Sequence, residues 1–332
     1  MMKTNFVQFA FGSYTLHNRA ILSVLSLASF YTFKEGEHII IFTDSPNYYR
    51  SFLKDLPIHY VEIQNEDVKQ MMGDDDLIHR VKIGIIEKAT QLYPQHQILY
   101  TDSDTFFIQP VNLLLQNLSN STSLMHCFEF KMNDVEDRSE EDITRCFSEM
   151  INQSNYIFKD KIVTVEARAF SSWNAGLIGL HPEHFHLLPF VYQLTDQWYA
   201  KMRHHGAEQF AFSYILEHYT QLLLGESYCY HYWPSVKKRI TDELLKKELN
   251  ENFKNKNLEQ KLKWAVTLSK QLPQIYNTHY YTLQSNMALA FEERKYKKGY
   301  LKSFQNLFKK PQHSIEILKD TAYYTKKILF GI

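Results

Sequence analysis

Cysteine is scarce in this 332-residue chain: Cys127, Cys146 and Cys229 lie far apart and form no C-x-x-C pair. That spacing excludes a disulfide framework and a zinc site, and it fits a reducing compartment with three ordinary buried thiols. Long apolar runs are also missing. The longest, Ala20 to Phe33, is 14 residues and is broken by Ser23, Ser26, Ser29 and Thr32, whereas a membrane span needs about 20 apolar residues. It reads as a buried helix. The apolar run near the start is too short for a signal-peptide core, and no small-residue cleavage site follows it. The expected location is therefore the cytoplasm, with any membrane contact peripheral, at the inner face. No repeat of fixed period is present. The first apolar strand lacks a G-x-G-x-x-G turn, so the dinucleotide-binding fingerprint is absent.

What is present is a core-forming composition, 44% hydrophobic and 15% aromatic, typical of a globular chain. Net charge is zero overall but unevenly spread. Residues 1–235 carry 17 Lys+Arg against 28 Asp+Glu, a balance of −11, and residues 236–332 carry 20 against 9, a balance of +11. We read 1–235 as one domain and 236–332 as a basic helical C-terminal region, rich in Tyr and Lys.

Strands and helices alternate in the first part. Phe6–Phe11 reads as a buried strand ended by Gly12-Ser13, Leu16–Phe33 as a helix, His38–Asp44 and Ile58–Ile63 as strands, and Leu77–Leu92 as a helix. Gln97–Thr101 follows as a strand. This order predicts an α/β fold, a Rossmann-like, mostly parallel sheet flanked by helices. Residues 128–170 are polar and irregular, with acidic residues at Glu136-Asp137 and Glu140-Glu141-Asp142, and read as an insertion: an acceptor contact or a plain solvated helix. Ser172–Leu180 reads as one strand, with helices over 182–204 and 207–219. His204-His205 is a weak metal signal and reads as a solvated helix end.

Asp102-Ser103-Asp104 carries the chemistry. At a strand end, where the chain turns, both carboxylates can converge on one divalent cation. Oxygen ligands suit Mg²⁺ or Mn²⁺, and ligands of open α/β sheets bind beyond the carboxyl ends of the strands. The pair sits between the apolar runs Ile98–Tyr100 and Thr105–Ile108, where unpaired carboxylates would be costly to bury.

Ile98–Pro110 resembles the D-x-D segment of GT-A glycosyltransferases, and is most similar to glycosyltransferase family 8 and related bacterial enzymes. Other segments fall in that family's order across roughly residues 5–240. Phe9–Tyr14 matches the end of the nucleotide-holding first strand. Lys82 matches a basic residue pointing at the donor, Asn174-Ala175-Gly176 a segment facing the sugar, and Glu208-Gln209 an acidic-Gln pair near the reaction centre. His231 matches a third metal ligand followed by a phosphate-gripping lysine. Here the usual D-A-D is D-S-D, and the usual ending is replaced by His231-Tyr232-Trp233-Pro234, so the phosphate lysine is Lys237 or Lys238, of which we take Lys237. Arg80 and Lys82 diverge by about 200° on a helix, so one of them faces solvent; we place Lys82 in the site.

The resemblance implies a transferase that moves a sugar from a nucleotide-diphosphate donor, UDP-linked, to a glycan or lipid-linked acceptor with retention. Asp102, Asp104 and His231 would hold Mn²⁺ or Mg²⁺. Ala10, Phe11, Gly12, Tyr14, Asp44, Lys82, Ser103 and Lys237 would contact the donor, and Asn174, Glu208 and Gln209 would orient the sugar and acceptor. Phe11 and Tyr14 read equally well as core aromatics or as a surface stacked on a base. Two other classes fit less well: a sugar nucleotidyltransferase or hydrolase, which would want a Gly-rich basic loop after the first strand, and a non-catalytic glycan-binding relative. Three readings of the basic region stay open: a solvated helical face, attachment to an anionic membrane, and, least favoured, nucleic-acid contact.

Overall fold

In the computed structural model, residues 2–137, 142–152, 155–158, 161–166 and 170–330 are described. They form two compact units, Met1–His231 with Glu251–Ala265, and Tyr232–Asn250 with Val266–Ile332.

The first unit opens with β1 (Thr4–Phe9), α1 (Tyr14–Phe30), β2 (Ile39–Thr43), α2 (Pro46–Arg50), β3 (Ile58–Glu62), α3 (Asn65–Met72), α4 (Val81–Leu92) and β4 (Gln97–Thr101). It continues through β5 (Thr105–Phe107), α5 (Asn112–Gln116), β6 (Thr122–Met125), β7 (Phe128–Lys131), α6 (Ile143–Asn152), β8 (Asn155–Phe158), β9 (Lys161–Thr164), β10 (Ser171–Trp173), β11 (Leu177–Leu180), α7 (Leu188–Met202), α8 (Ala207–Tyr219), β12 (Gln221–Leu224) and β13 (Cys229–His231). Seven strands make one sheet in the order β12-β6-β11-β4-β1-β2-β3. Each adjacent pair is parallel except where β11 meets β4 and β6. The expected mostly parallel α/β sheet is therefore present. Every residue of β2 and β4 is buried, as central strands covered by helices on both faces must be.

Local chemistry sets the element ends. The Ser13 hydroxyl accepts from Leu16 N at 3.4 Å and caps α1. Gly12 stands at φ 86° between β1 and that cap, a left-handed turn that glycine enters without strain. The helix expected over 77–92 begins as a 3₁₀ turn at Ile78–Arg80 before α4.

Three expectations need correction. Ser172–Leu180 is not one strand: β10 pairs antiparallel with β7 while β11 joins the main sheet, and the chain turns at Asn174–Gly176 between them. The segment 128–170 is more than a solvated insertion. Phe147 and Ile151 of α6, with Val165 and Phe170, are buried in the main core; Glu140 and Glu141 lie outside the described residues. His204 is not a solvated end. Arg203 takes left-handed φ after α7, which turns His204 inward against Phe147 and Phe210. There burial lowers its pKa to about 4. Of the cysteines, Cys127 and Cys229 are buried and Cys146 is half-buried, all as thiols.

The second unit contains α9 (Ser235–Glu248), which precedes α10 (Glu251–Lys254) of the first unit. After α11 (Leu258–Thr278), which spans both units, come α12 (Tyr280–Glu292), α13 (Tyr296–Lys309) and α14 (Ser314–Phe330). Tyr280, Met287, Phe291 and Ile317 form a small core of its own.

Candidate functional site

The sheet ends converge on one cluster. β4 runs out at Thr101, and Asp102 follows with its N–H donated to Gly176 O at 2.9 Å. The Thr105 hydroxyl donates to Asp102 O at 2.8 Å, so the chain turns and Asp104 comes to the same side as Asp102. β5 then leaves the main sheet and pairs antiparallel with β13, with His231 opposite Thr105. That register sets the imidazole beside Asp104, at 3.3 Å from Nε2 to Oδ1, and 3.8 Å from Asp102 Oδ2. One ligand atom from each of Asp102, Asp104 and His231 lies within 4.8 Å of the others. Asp104 and His231 are buried, and Asp102 is partly open.

Each member is held by neighbours. Tyr100 donates its hydroxyl to Asp102 Oδ1 at 2.9 Å; burial and the adjacent carboxylate push its pKa well up, so it stays a donor. Lys82, in the first turn of α4, donates to Ala175 O at 3.0 Å and stands 3.4 Å from Asp102 Oδ2 and 3.3 Å from Glu208 Oε1. Arg80 faces the other way and pairs with Asp196 at 2.6 Å, as the 200° divergence requires. Glu208, in the first turn of α8, is buried, and desolvation raises its pKa to about 7 despite Lys82. A second buried histidine, His126, packs edge-on to His231 at 5.6 Å, and burial lowers its pKa to about 4.

Asn174 fixes the imidazole. Its Oδ1 accepts from Gly176 N at 3.0 Å, which identifies that atom as the oxygen, and it lies 2.8 Å from His231 Nδ1. Nδ1 therefore carries the proton, and in the neutral ring the Nε2 lone pair faces the carboxylates. This is how a supporting residue orients a metal-ligating histidine. The Asn174 amide donates to Glu129 Oε1 at 3.0 Å. Gln209 donates to Glu129 Oε2 at 2.8 Å and accepts from Ala175 N at 3.3 Å. Asn174 and Gln209 thus belong to one network with His231.

Gly176 is required by contact rather than by φ. A Cβ there would stand 2.1 Å from His231 Nδ1 and 2.4 Å from Cε1. Gly176→Ala is expected to displace the imidazole and weaken Mn²⁺ affinity by about 10- to 100-fold; an affinity by titration calorimetry equal to the parent's would contradict this geometry.

On the other side of the strand ends, Asp44 Oδ2 accepts from Gly12 N at 3.1 Å and its Oδ1 lies 3.4 Å from His17 Nε2. Ala10 is buried, and Phe11 stacks on Phe9 and packs against the core. Tyr14 is 69% exposed, so of its two readings the core one is excluded. Tyr14 and Asp44 line a cleft of about 540 Å³ with Tyr48, Arg50, Tyr60 and Glu62. Ser103 lies half-buried between the two aspartates. Lys237 belongs to the second unit, 5.8 Å over the Tyr276 ring. Sequence reasoning missed Tyr100, His126 and Glu129. Tyr100 reads as one more apolar strand residue, and Glu129 lies in the segment that shows no pattern.

Two carboxylates and an imidazole with its lone pair presented form a donor set suited to Mn²⁺ or Mg²⁺. The protein is thus an α/β chain with a candidate divalent-cation centre beyond the carboxyl ends of its central strands. No family model matches the chain, and no curated protein matches it. Its fold is similar to those of solved glycosyltransferases. Galactosyltransferase LgtC, in complex with donor and acceptor sugar analogs, shares 11% identity at a TM-score of 0.42, over 67% of this chain and 73% of that one. Mouse xyloside xylosyltransferase 1 shares 13% at 0.42, over 68% and 85%. The WbbM bifunctional glycosyltransferase shares 10% at 0.43, over 67% of this chain and 39% of its own. These are likenesses of topology at low superposition.

Proposed function

We propose that the chain is a metal-dependent glycosyltransferase using a nucleotide-diphosphate sugar, UDP-linked and with retention, in which residues 1–235 do the chemistry. The observation that carries the reading is the convergence of Asp102, Asp104 and His231. These three residues would hold Mn²⁺ or Mg²⁺. Such an ion, when bound, offsets the charge that develops on a diphosphate leaving group.

The protein's own groups do the rest. Tyr100 and Lys82 hold Asp102 in place, and Asn174 holds His231 with Nε2 turned to the carboxylates. The cleft between Tyr14 and Asp44 suits a nucleoside, with an exposed aromatic face to stack on a base and a carboxylate to accept from ribose hydroxyls. Glu208, with a pKa of about 7, can accept or donate a hydrogen bond to a sugar hydroxyl at neutral pH, and Gln209 beside it offers an amide. Lys237 is the candidate phosphate lysine. A glycan or lipid-linked alcohol is the proposed acceptor.

The test is thermal shift with a panel of nucleotide sugars, with and without Mn²⁺. One uridine diphosphate sugar is expected to stabilise the protein only when Mn²⁺ is present, and then to be hydrolysed slowly. Stabilisation by nucleoside triphosphates instead would favour a nucleotidyltransferase, and stabilisation by glycans without metal a binding protein; either result sinks the transferase reading.

A further inference from the structure

Residues 296–330 carry ten of the twenty-one exposed large apolar side chains of the described residues, in about a tenth of the chain. They are ordered. On α13, Tyr300, Phe304 and Phe308 recur every four residues with Leu301 beside them, at 40%, 60%, 72% and 56% exposure. Gly299, Ser303 and Asn306 are buried on the opposite side. On α14, Ile315, Leu318, Ala322 and Leu329 are exposed, while Ile317 turns inward. At about 100° per residue, each set forms one stripe along its helix.

The two stripes share a face. The Tyr300 and Thr325 hydroxyls lie 2.9 Å apart, and those of Ser303 and Thr321 are hydrogen-bonded. These pairs mark the seam and show that the helices run antiparallel. On each helix the exposed stripe lies past the seam in the direction of increasing residue angle. Antiparallel helices turn in opposite senses, so both stripes come to the same outer side. The charges follow the same geometry. Residues 296–330 contain eight lysines against Glu316 and Asp320. By the same angular count, Lys297 falls in the stripe on α13 with Lys298 at its edge, both exposed, and Lys319 and Lys326 edge the stripe on α14. Glu316 and Asp320 lie on the far flank, where Asp320 accepts from Gln284.

A face of aromatic and branched apolar side chains rimmed by lysines, with the carboxylates turned away, is complementary to an anionic lipid surface. No helix among the described residues is long and apolar enough to cross a membrane. We propose that α13 and α14 together dock the chain on an anionic bilayer, with Phe304, Phe308 and Leu318 entering the acyl boundary and Lys298, Lys319 and Lys326 lying among the headgroups. This surface is independent of the reading of the metal centre.

The test is co-sedimentation of the full chain, without donor or metal, with vesicles of phosphatidylcholine mixed with phosphatidylserine and of phosphatidylcholine alone. The mixed vesicles are expected to retain the chain, less so as salt is raised. Phe304→Glu/Phe308→Glu/Leu318→Glu is expected to weaken partitioning by at least about a hundredfold, with an unchanged circular dichroism spectrum because all three side chains are exposed. Lys298→Gln, Lys319→Gln and Lys326→Gln are each expected to cost about fivefold on the mixed vesicles and little on the neutral ones. The proposal is overturned if the unaltered chain stays in the supernatant, or if the glutamate variant sediments as well as the parent. It is equally overturned if those glutamates abolish a concentration-dependent dimer in a chain that ignores vesicles, which would make the face a contact between copies.

Discussion

Asp104→Ala is expected to lower Mn²⁺-dependent turnover of the nucleotide-sugar donor by about a hundred- to a thousandfold, the scale on which a lost charge-stabilising group acts in a transition state. Asp104 is buried, and its carboxylate stands 3.3 Å from His231 Nε2, so the substitution removes a charged oxygen donor from the centre of the cluster. The same substitution has a second signature. In the metal-free protein Asp102 and Asp104 are two carboxylates converging on one point, and like charges so placed oppose each other. Removing one is expected to leave the metal-free melting temperature unchanged or slightly raised, while abolishing the rise that Mn²⁺ produces. A variant that keeps both turnover and the Mn²⁺-dependent rise would remove Asp104 from the ligand set. A variant that merely unfolds would be recognised by its lower metal-free melting temperature.

Lys82→Met is expected to destabilise the protein by about 3–5 kcal/mol, the range for breaking a buried ion pair from one side. Its ammonium lies within 3.4 Å of both Asp102 and Glu208, and the pKa of Lys82 is raised by these two partners against the burial that opposes them. The loss should depend on pH. Glu208 titrates near 7 in the folded protein against 4.5 for the free side chain. Its contribution to stability is therefore full below about pH 4.5 and is lost as pH rises through 7. Without Lys82 the folded pKa rises further. The cost of the substitution should then grow above pH 7 and shrink toward pH 4.5, where Glu208 is neutral in both proteins. Lys82→Met/Glu208→Gln should recover part of the loss, since the uncompensated carboxyl is gone. Urea unfolding at pH 5 and pH 8 checks this; an equal loss at both, unrelieved in the double variant, would show that Lys82 acts by packing alone.

Much of this architecture is legible in the amino-acid sequence alone. The run Gln97–Tyr100 followed by two aspartates marks a buried strand meeting charges it cannot hold, because apolar β-branched and aromatic residues pack on both faces of a central strand while carboxylates need water, a partner or an ion. That contrast is local, so it survives in one dimension. The α/β alternation, the strand at 97–101 and the helix at 207–219 are local in the same sense: period and cap signals are written within a few residues of where they act. The opposite orientation of Arg80 and Lys82 also follows from helical angle, although which one turns inward came only from the family resemblance.

Other features depended on contacts between distant segments. His231 meets Asp104 because β13 pairs with β5 in one register, and a shift of one residue would point the imidazole to the other face. The break at Asn174–Gly176 is invisible in an apolar stretch that reads as one strand, since it exists only because β10 and β11 join different sheets. Glu129 has no sequence pattern at all; what gives it meaning is Asn174, Ser172 and Gln209 closing around it. The membrane-facing stripe shows the same division. Lysine and aromatic content in the last helices is plain from composition, but which residues share one side was decided by the antiparallel seam of α13 and α14. Composition and period determined which elements form and where charge is costly. The tertiary structure decided which charges meet, because strand register and helix packing are agreements between segments far apart in the chain.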